Sequence, residues 1–319
     1  MNYINCILLL KKKYMTPIIL FTYNRPHHAR QALESLALCK RFEECKLFIH
    51  CDGPKSPDQI NNVITTQQVV KSYAQILDAD IIIQKKNIGL VNSIVSGVTD
   101  LCNRFGRVIV IEDDLVVCPS FIDYMLQALD RYQNVEKIYQ ISGFMFPIDY
   151  SKHQDAFFLP FTTTWGWATW DRAWRIFDWN ATGYQKLLSH KKIRKRFDLD
   201  GSYSYYEMLI NRFSGKNDSW GILWYYAVFS AEGLVLYPER TLVYNCGFDG
   251  TGTHCGYSMD CREPQPIIKF DTYPQCYFVN FPKKIAVDKE NFDRIKKYFK
   301  RINGNIIQRL LRKIKLNWG

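Results

Sequence analysis

Glu112-Asp113-Asp114 directly follows the wholly apolar run Val108-Ile109-Val110-Ile111. Three adjacent carboxylates repel one another and cost stability unless positive charge sits among them. A hard divalent cation, bound through oxygen and shared with a diphosphate, would supply that charge. A solvated acidic turn is the plainer alternative. Arg25, in Thr22-Tyr23-Asn24-Arg25-Pro26, has the charge and length to meet a phosphate, or is a surface arginine in a turn fixed by Pro26. In Asp52-Gly53 the carboxylate can accept hydrogen bonds from a base or ribose, and the glycine lets backbone approach closely. The same aspartate could instead cap a helix or turn.

Three further clusters have chemical potential. Trp165 and Trp167 flank Gly166 ahead of a helix, and aromatic faces suit the C–H surfaces of sugar rings. Trp170 and Trp174, one helical turn apart, read as core. Asp218, in Asn217-Asp218-Ser219-Trp220, is a candidate general base for a hydroxyl, or the N-cap of a helix starting at Trp220. His254 ends the glycine-rich stretch 246–254, which reads either as a mobile lid near a metal or phosphate or as an ordinary surface loop.

Elements that could hold these groups are legible from periodicity. Strand-like apolar runs occur at 18–21, 46–51, 81–83 and 108–111, the first unbroken as in a strand buried on both faces. Helical patterns follow at 29–36, 59–77, 89–102 and 121–129. Four strand–helix alternations predict an α/β fold with a mostly parallel, doubly wound sheet and right-handed crossovers. Ligands in such sheets bind beyond the carboxyl ends of the strands. Arg25, Asp52, Asn87 and Glu112-Asp113-Asp114 all fall just after strands. The second half mixes helices with isolated strands, among them 234–237. Seven of the eight tryptophans lie there, between 165 and 224.

Composition bounds the function. The chain has 319 residues, 47% apolar and 23% charged, as a globular protein does. Its net charge is 42 − 31 = +11. Residues 283–319 hold twelve Lys/Arg and three Asp/Glu, or +9, so the body carries only +2. A nucleic-acid partner is therefore not expected. The ten cysteines include no Cys-x-x-Cys pair, and most read as small buried hydrophobes in a reducing, cytoplasmic setting. One or two bridges within 246–276 stay open. The apolar run 4–10 is too short to span a bilayer, and its lysines follow it, the reverse of a signal peptide. No Gly-x-Gly-x-x-Gly, P-loop or Gly-x-Ser-x-Gly motif is present, which disfavours dinucleotide, P-loop and nucleophile-elbow chemistry.

Taken together, 20–26, 50–53, 87–90, 110–115 and 165–170 resemble bacterial sugar transferases of the GT-A fold. These are family-2-like proteins related to the N-acetylglucosaminyltransferase I group. The resemblance covers roughly 16–256. It implies a Rossmann-like nucleotide-sugar-binding half over 16–150, an acceptor-side half over 151–282, and a tail over 283–319. It also implies a metal-dependent, inverting glycosyltransferase in surface polysaccharide synthesis. The donor would be a nucleoside-diphosphate sugar, expected to be a UDP-sugar, and the acceptor a glycan or lipid-linked hydroxyl. By position, Arg25, Asp52, Asn87, Asp113 and His254 match donor contacts, Asp114 matches the ligand for Mn2+ or Mg2+, and Asp218 matches the catalytic base. Ser219 departs from that pattern, since the related enzymes have an acidic residue there. A sugar nucleotidyltransferase and a non-catalytic carbohydrate-binding module are the rival readings.

Phe292, Ile295, Tyr298, Phe299 and Ile302 have the spacing of one helical face, with Lys296, Lys297, Lys300 and Arg301 around it, and 306–316 repeats the theme. Such helices lie on anionic membranes. That predicts peripheral attachment to the inner membrane face, where a lipid-linked acceptor would be met. A C-terminal helix docked on the protein, with a solvated basic face, is the alternative.

Overall fold

Thr16–Thr22 forms β1 and is buried at all seven positions, as an unbroken apolar run requires of a strand covered on both faces. The computed structural model describes residues 15–150, 155–249 and 279–303. The other strands are β2 (Cys45–Cys51), β3 (Asp80–Ile83), β4 (Arg107–Glu112), β5 (Leu115–Val117), β6 (Ile138–Ser142), β7 (Ala156–Leu159), β8 (Trp167–Trp170), β9 (Leu234–Pro238) and β10 (Val243–Asn245). The α-helices are α1 (Pro26–Ala37), α2 (Ile60–Ile76), α3 (Leu90–Phe105), α4 (Phe121–Tyr132), α5 (Asp171–Trp174), α6 (Gln185–Ser189), α7 (Lys191–Phe197), α8 (Tyr205–Phe213), α9 (Trp220–Ser230) and α10 (Lys289–Asn303).

Eight strands form one sheet in the order β3-β2-β1-β4-β8-β6-β9-β7. The β3-β2-β1-β4 portion is parallel throughout, β6 and β9 also pair in parallel, and β8 and β7 run antiparallel to their neighbours. This is a mixed α/β fold with a mostly parallel central sheet flanked by helices. Alternation along β1 divides the core in two. Ile18 and Leu20 meet α1, α2 and α4 on one face, while Ile19 and Phe21 meet α3 and the α9–α10 layer on the other. Parallel β1 and β4 are in register with Phe21 opposite Glu112, so residues just beyond both strands share one rim.

Local chemistry sets the element ends. Proline opens α1, where its missing N–H is not needed. Gly106 closes α3 in the left-handed conformation (φ +76°), its N–H bonding to Cys102 O. Ser219, rather than Asp218, caps α9 by accepting from Ile222 N at 3.4 Å. Asp218 is thereby spared the capping role. Cys39, Cys45, Cys51, Cys102 and Cys118 are free and buried. Burial pushes the Cys51 thiol up to about 11, against the Thr22 hydrogen bond.

Two expectations change here. The run Trp167–Trp170 is a strand, not the approach to a helix, and its side chains alternate between the two cores. The apolar face of α10 is not a membrane face. Ile295, Phe299 and Ile302 are buried, and Phe299 packs edge-on against Phe146 with 4.9 Å between ring centroids. Aromatic cover from β7, the 144–146 turn and α9 is a nearer apolar phase than any bilayer, so the docked alternative is what the chain adopts. The segments 306–316 and 4–10 lie outside the described residues.

Candidate active site

The acidic triplet and Arg25 meet at the rim shared by β1 and β4. Arg25 Nη2 donates to Asp113 Oδ1, and Nη1 donates to Asp114 Oδ2 at 3.1 Å. Tyr23 N donates to the other oxygen of Asp113 at 3.3 Å. Burial works against the Arg25 charge, yet the two carboxylates hold its pKa above the solution value. The need for positive charge inferred from the triplet is thus met in part by this guanidinium. The side chain of Asp113 is 4% exposed and that of Asp114 17%. Asp113 therefore anchors Arg25 from beneath, while Asp114 opens outward. Among the described residues Glu112 has no such partner. Burial, with Asp114 and Asp113 adding to it, pushes its carboxyl up to about 8 against the opposing charge of Arg25.

Glu112, Asp114 and Arg25 line a cleft of 450 Å3. Its opposite wall is aromatic. Trp165 borders it, standing edge-on to Phe144 (4.5 Å) and Phe248 (5.6 Å). Gly166 has φ +58°, and a Cβ there would meet Val243 at 2.7 Å, so only glycine allows this tight turn. The turn sends Trp165 to the cleft and Trp167 inward. Trp167 is fully buried, against Trp174 (5.8 Å) and Trp220 (5.5 Å). The expectation that Trp167 walls an acceptor site is therefore corrected: alternation along β8 commits it to the core.

Asp218 lies on the same cleft. The turn that carries it is fixed on both sides. Asn217 accepts from Ser219 N at 3.1 Å and donates to Met208 O at 3.1 Å, and Ser219 caps α9. A carboxylate between two such anchors is presented with little freedom.

Asp52 and Asn87 do not line the cleft. Asp52 Oδ1 accepts from Gly53 N (2.8 Å) and Ile88 N (2.9 Å), and Oδ2 accepts from Gly89 N (2.9 Å). Three of about four acceptor positions are taken. Asp52 staples the loop ahead of α3. Asn87 donates to Gly53 O at 2.9 Å in the same clasp. A Cβ on Gly53 would lie 2.5 Å from the Lys86 carbonyl carbon, which is why glycine follows Asp52. His254 lies outside the described residues.

The ribbon of β5 and β10 supports Asp114 from behind. It aligns Asn245 with Leu115, and Cys246 N donates to Asp114 O at 2.8 Å. A Cβ on Gly247 would lie 2.6 Å from Asp114 Oδ2. His28, buried on α1, faces both Cys246 O (3.3 Å) and the Asp249 carboxylate (3.2 Å). Among the described residues no three His, Cys, Asp or Glu side chains converge as a metal cage. The donor set is one outward carboxylate, Asp114, beside Glu112. That suits Mg2+ or Mn2+ completed by phosphate oxygens and water, not a cation held by protein alone.

Sequence reasoning missed Phe144, Tyr203, Tyr205 and Phe299, all on this cleft. Phe144 had a signal: it follows Ser142-Gly143 at the end of β6, where a strand-end search would have found it had β6 been recognised. Phe299 had none, because its place depends on a fold-back from far along the chain.

No family model matches this chain, and no curated protein matches it. Solved structures of similar outline exist. One is S. aureus TarS, residues 1–349, at 13% identity and TM-score 0.42, over 73% of this chain and 61% of that one. A second is a mannosyltransferase from Pyrobaculum calidifontis in complex with GDP-Man and Mn2+, at 10% and 0.31, over 40% of this chain and 34% of that one. A third is apo UDP-glucose pyrophosphorylase, at 13% and 0.37, over 73% and 93%. The chain thus spans about a third of the mannosyltransferase it is similar to. Among the described residues no helix is long and apolar enough to cross a membrane.

Proposed function

We propose that this chain is a glycosyltransferase of GT-A type, moving a sugar from a nucleoside-diphosphate sugar to an acceptor hydroxyl with inversion. One observation carries the reading. A single cleft has the Arg25 and Glu112–Asp114 cluster at the carboxyl ends of β1 and β4 on one side, and Trp165 with a turn-fixed Asp218 on the other. A charge-handling wall facing a stacking wall is what a ligand that is half diphosphate and half sugar requires.

Asp114 is the residue that would hold Mn2+ or Mg2+. A divalent cation, when bound, supplies positive charge to the leaving diphosphate. Asp113 orients Arg25, whose guanidinium fork matches phosphate oxygens. Trp165 and Phe144 offer faces and edges to the sugar and exclude water around it. Asp218 takes the proton of the acceptor hydroxyl as its oxygen attacks the anomeric carbon and the bond to the diphosphate breaks. Asp52 and Asn87 act through the 87–89 loop. The N-acetylglucosaminyltransferase I relation, uridine as the base, and a glycan or lipid-linked acceptor in surface polysaccharide synthesis rest on the sequence resemblance.

The test is release of nucleoside diphosphate from a panel of nucleotide sugars, with and without candidate acceptor glycans. A transferase releases it in step with acceptor. A nucleotidyltransferase yields pyrophosphate chemistry instead, and a binding module releases nothing. Asp218→Asn should lower kcat by about 100-fold or more and leave donor affinity unchanged. A collapse of donor affinity would make Asp218 a donor-binding group.

A further inference from the structure

A second groove, of 680 Å3, lies outside the cleft along the outer face of α3. One bank is polar: Asn92, Ser96, Thr99, Asp100 and Asn103 follow one another along the helix. The other is Trp179, which is 43% exposed. This indole is held rigidly. Asp178 accepts from Asn180 N (2.9 Å) and Thr182 N (2.7 Å), closing the turn that presents Trp179. Phe177 stands edge-on to Trp179 at 5.5 Å and stacks on Trp174 at 4.8 Å. Trp174 Nε1 donates to Thr99 Oγ1 at 2.9 Å, which ties the turn to the polar bank.

The lining decides the ligand class. No lysine, arginine or histidine lines the groove, and its one carboxylate, Asp100, pairs with Arg104 at 2.8 Å. A phosphate or other anion would find no counter-charge. The Ser96 hydroxyl donates to Asn92 O at 2.6 Å and that of Thr99 accepts from Trp174, so the amides of Asn92 and Asn103 are the polar groups facing the rigid aromatic plane. Amides beside an indole suit a neutral polyhydroxylated chain, with its C–H faces on the indole and its hydroxyls on the amides. Asn92 makes one bond, from Nδ2 to Ile88 O at 2.8 Å, of the four its amide can make. The groove and the cleft approach each other at the N-terminal end of α3. Ile88 and Asn92 line the groove, whereas Leu90 and Val91, on the same helical turn, line the cleft. From Leu90 to Asn103 the helix rises about 20 Å, room for several sugar units.

We propose that this groove is a binding site for a neutral oligosaccharide, adjacent to the catalytic cleft and occupied by the chain of the acceptor beyond its reacting end. The acceptor assignment rests on the transferase reading; sugar binding by the groove does not. The probes are maltohexaose, cellohexaose and chitohexaose, titrated into full-length protein while the Trp179 indole N–H resonance is followed, assigned by its loss in Trp179→Phe. At least one hexasaccharide should shift that resonance saturably. Calorimetry should show its affinity falling by about tenfold in Trp179→Ala and in Asn103→Ala. With that hexasaccharide as acceptor, Trp179→Ala should raise KM by a similar factor and leave kcat, and the KM of the matching disaccharide, unchanged. Binding without any sugar transfer would keep the groove and overturn the transferase reading. Three probes that leave the Trp179 resonance still, equal affinity in the variants, or a dimer that dissociates on Trp179→Ala would overturn the groove.

Discussion

Asp113 is a buried carboxylate whose charge is answered by one residue. Removing the guanidinium leaves it uncompensated, and breaking a buried pair in this way costs about 3–5 kcal/mol. Arg25→Ala should therefore lower the urea midpoint strongly, whether or not donor is present. Arg25→Lys should recover only part, because an ammonium cannot bond both aspartates as the fork does. A midpoint unchanged in Arg25→Ala would show that Arg25 is not the internal counter-ion of Asp113. At this scale residue type was legible and direction was not. The triplet and Arg25 were readable because strand ends in a parallel sheet point to one rim. The stapling role of Asp52 was not legible, because a ligand acceptor and a loop staple look alike in sequence and only the closeness of the 86–89 backbone reveals the staple.

Strands and helices set which side of the sheet a residue serves. β8 carries Trp167 into the core, while Gly166 turns Trp165 out to the cleft. Two variants of the same residue type, two positions apart, should then behave in opposite ways. Trp167→Ala should cost about 3–5 kcal/mol of stability. Trp165→Ala should cost under about 1 kcal/mol and raise the acceptor KM. Urea denaturation alongside acceptor kinetics checks both, and equal destabilisation would refute the division. β1, β2 and β4 could be read from the sequence because strands buried in the sheet are near-continuous apolar runs, and β3 could be read from its apolar run although it is an edge strand with Ile82 and Ile83 exposed. β6 and β7 could not. They are short, they lie between aromatic turns, and they pair with β8 and β9 only through long-range closure of the sheet.

Across the whole molecule, the basic C-terminal region divides by face. Lys296 turns to Asp200 (2.7 Å) and Asp293 (2.8 Å), while Ile295 and Phe299 complete the core beneath the cleft. The amphipathic pattern of α10 was legible, but an apolar helical stripe fits a bilayer and a protein core equally well. The protein's own aromatic surface decided between them. Ile295→Asp should lower Tm by more than about 5 °C without lipid. Loss of co-sedimentation with anionic vesicles at unchanged Tm would instead return this face to the membrane.

The central claim is that Asp114, in the cleft at the ends of β1 and β4, joins a divalent cation to a nucleoside-diphosphate sugar. Calorimetric titration of a nucleotide-sugar panel, with Mn2+ or with chelator, into wild type and Asp114→Ala tests it most directly. At least one donor should bind wild type with Mn2+ and lose about 100-fold in affinity both in chelator and in the variant. Full-strength binding in chelator and in Asp114→Ala, or no donor bound at all, would contradict it.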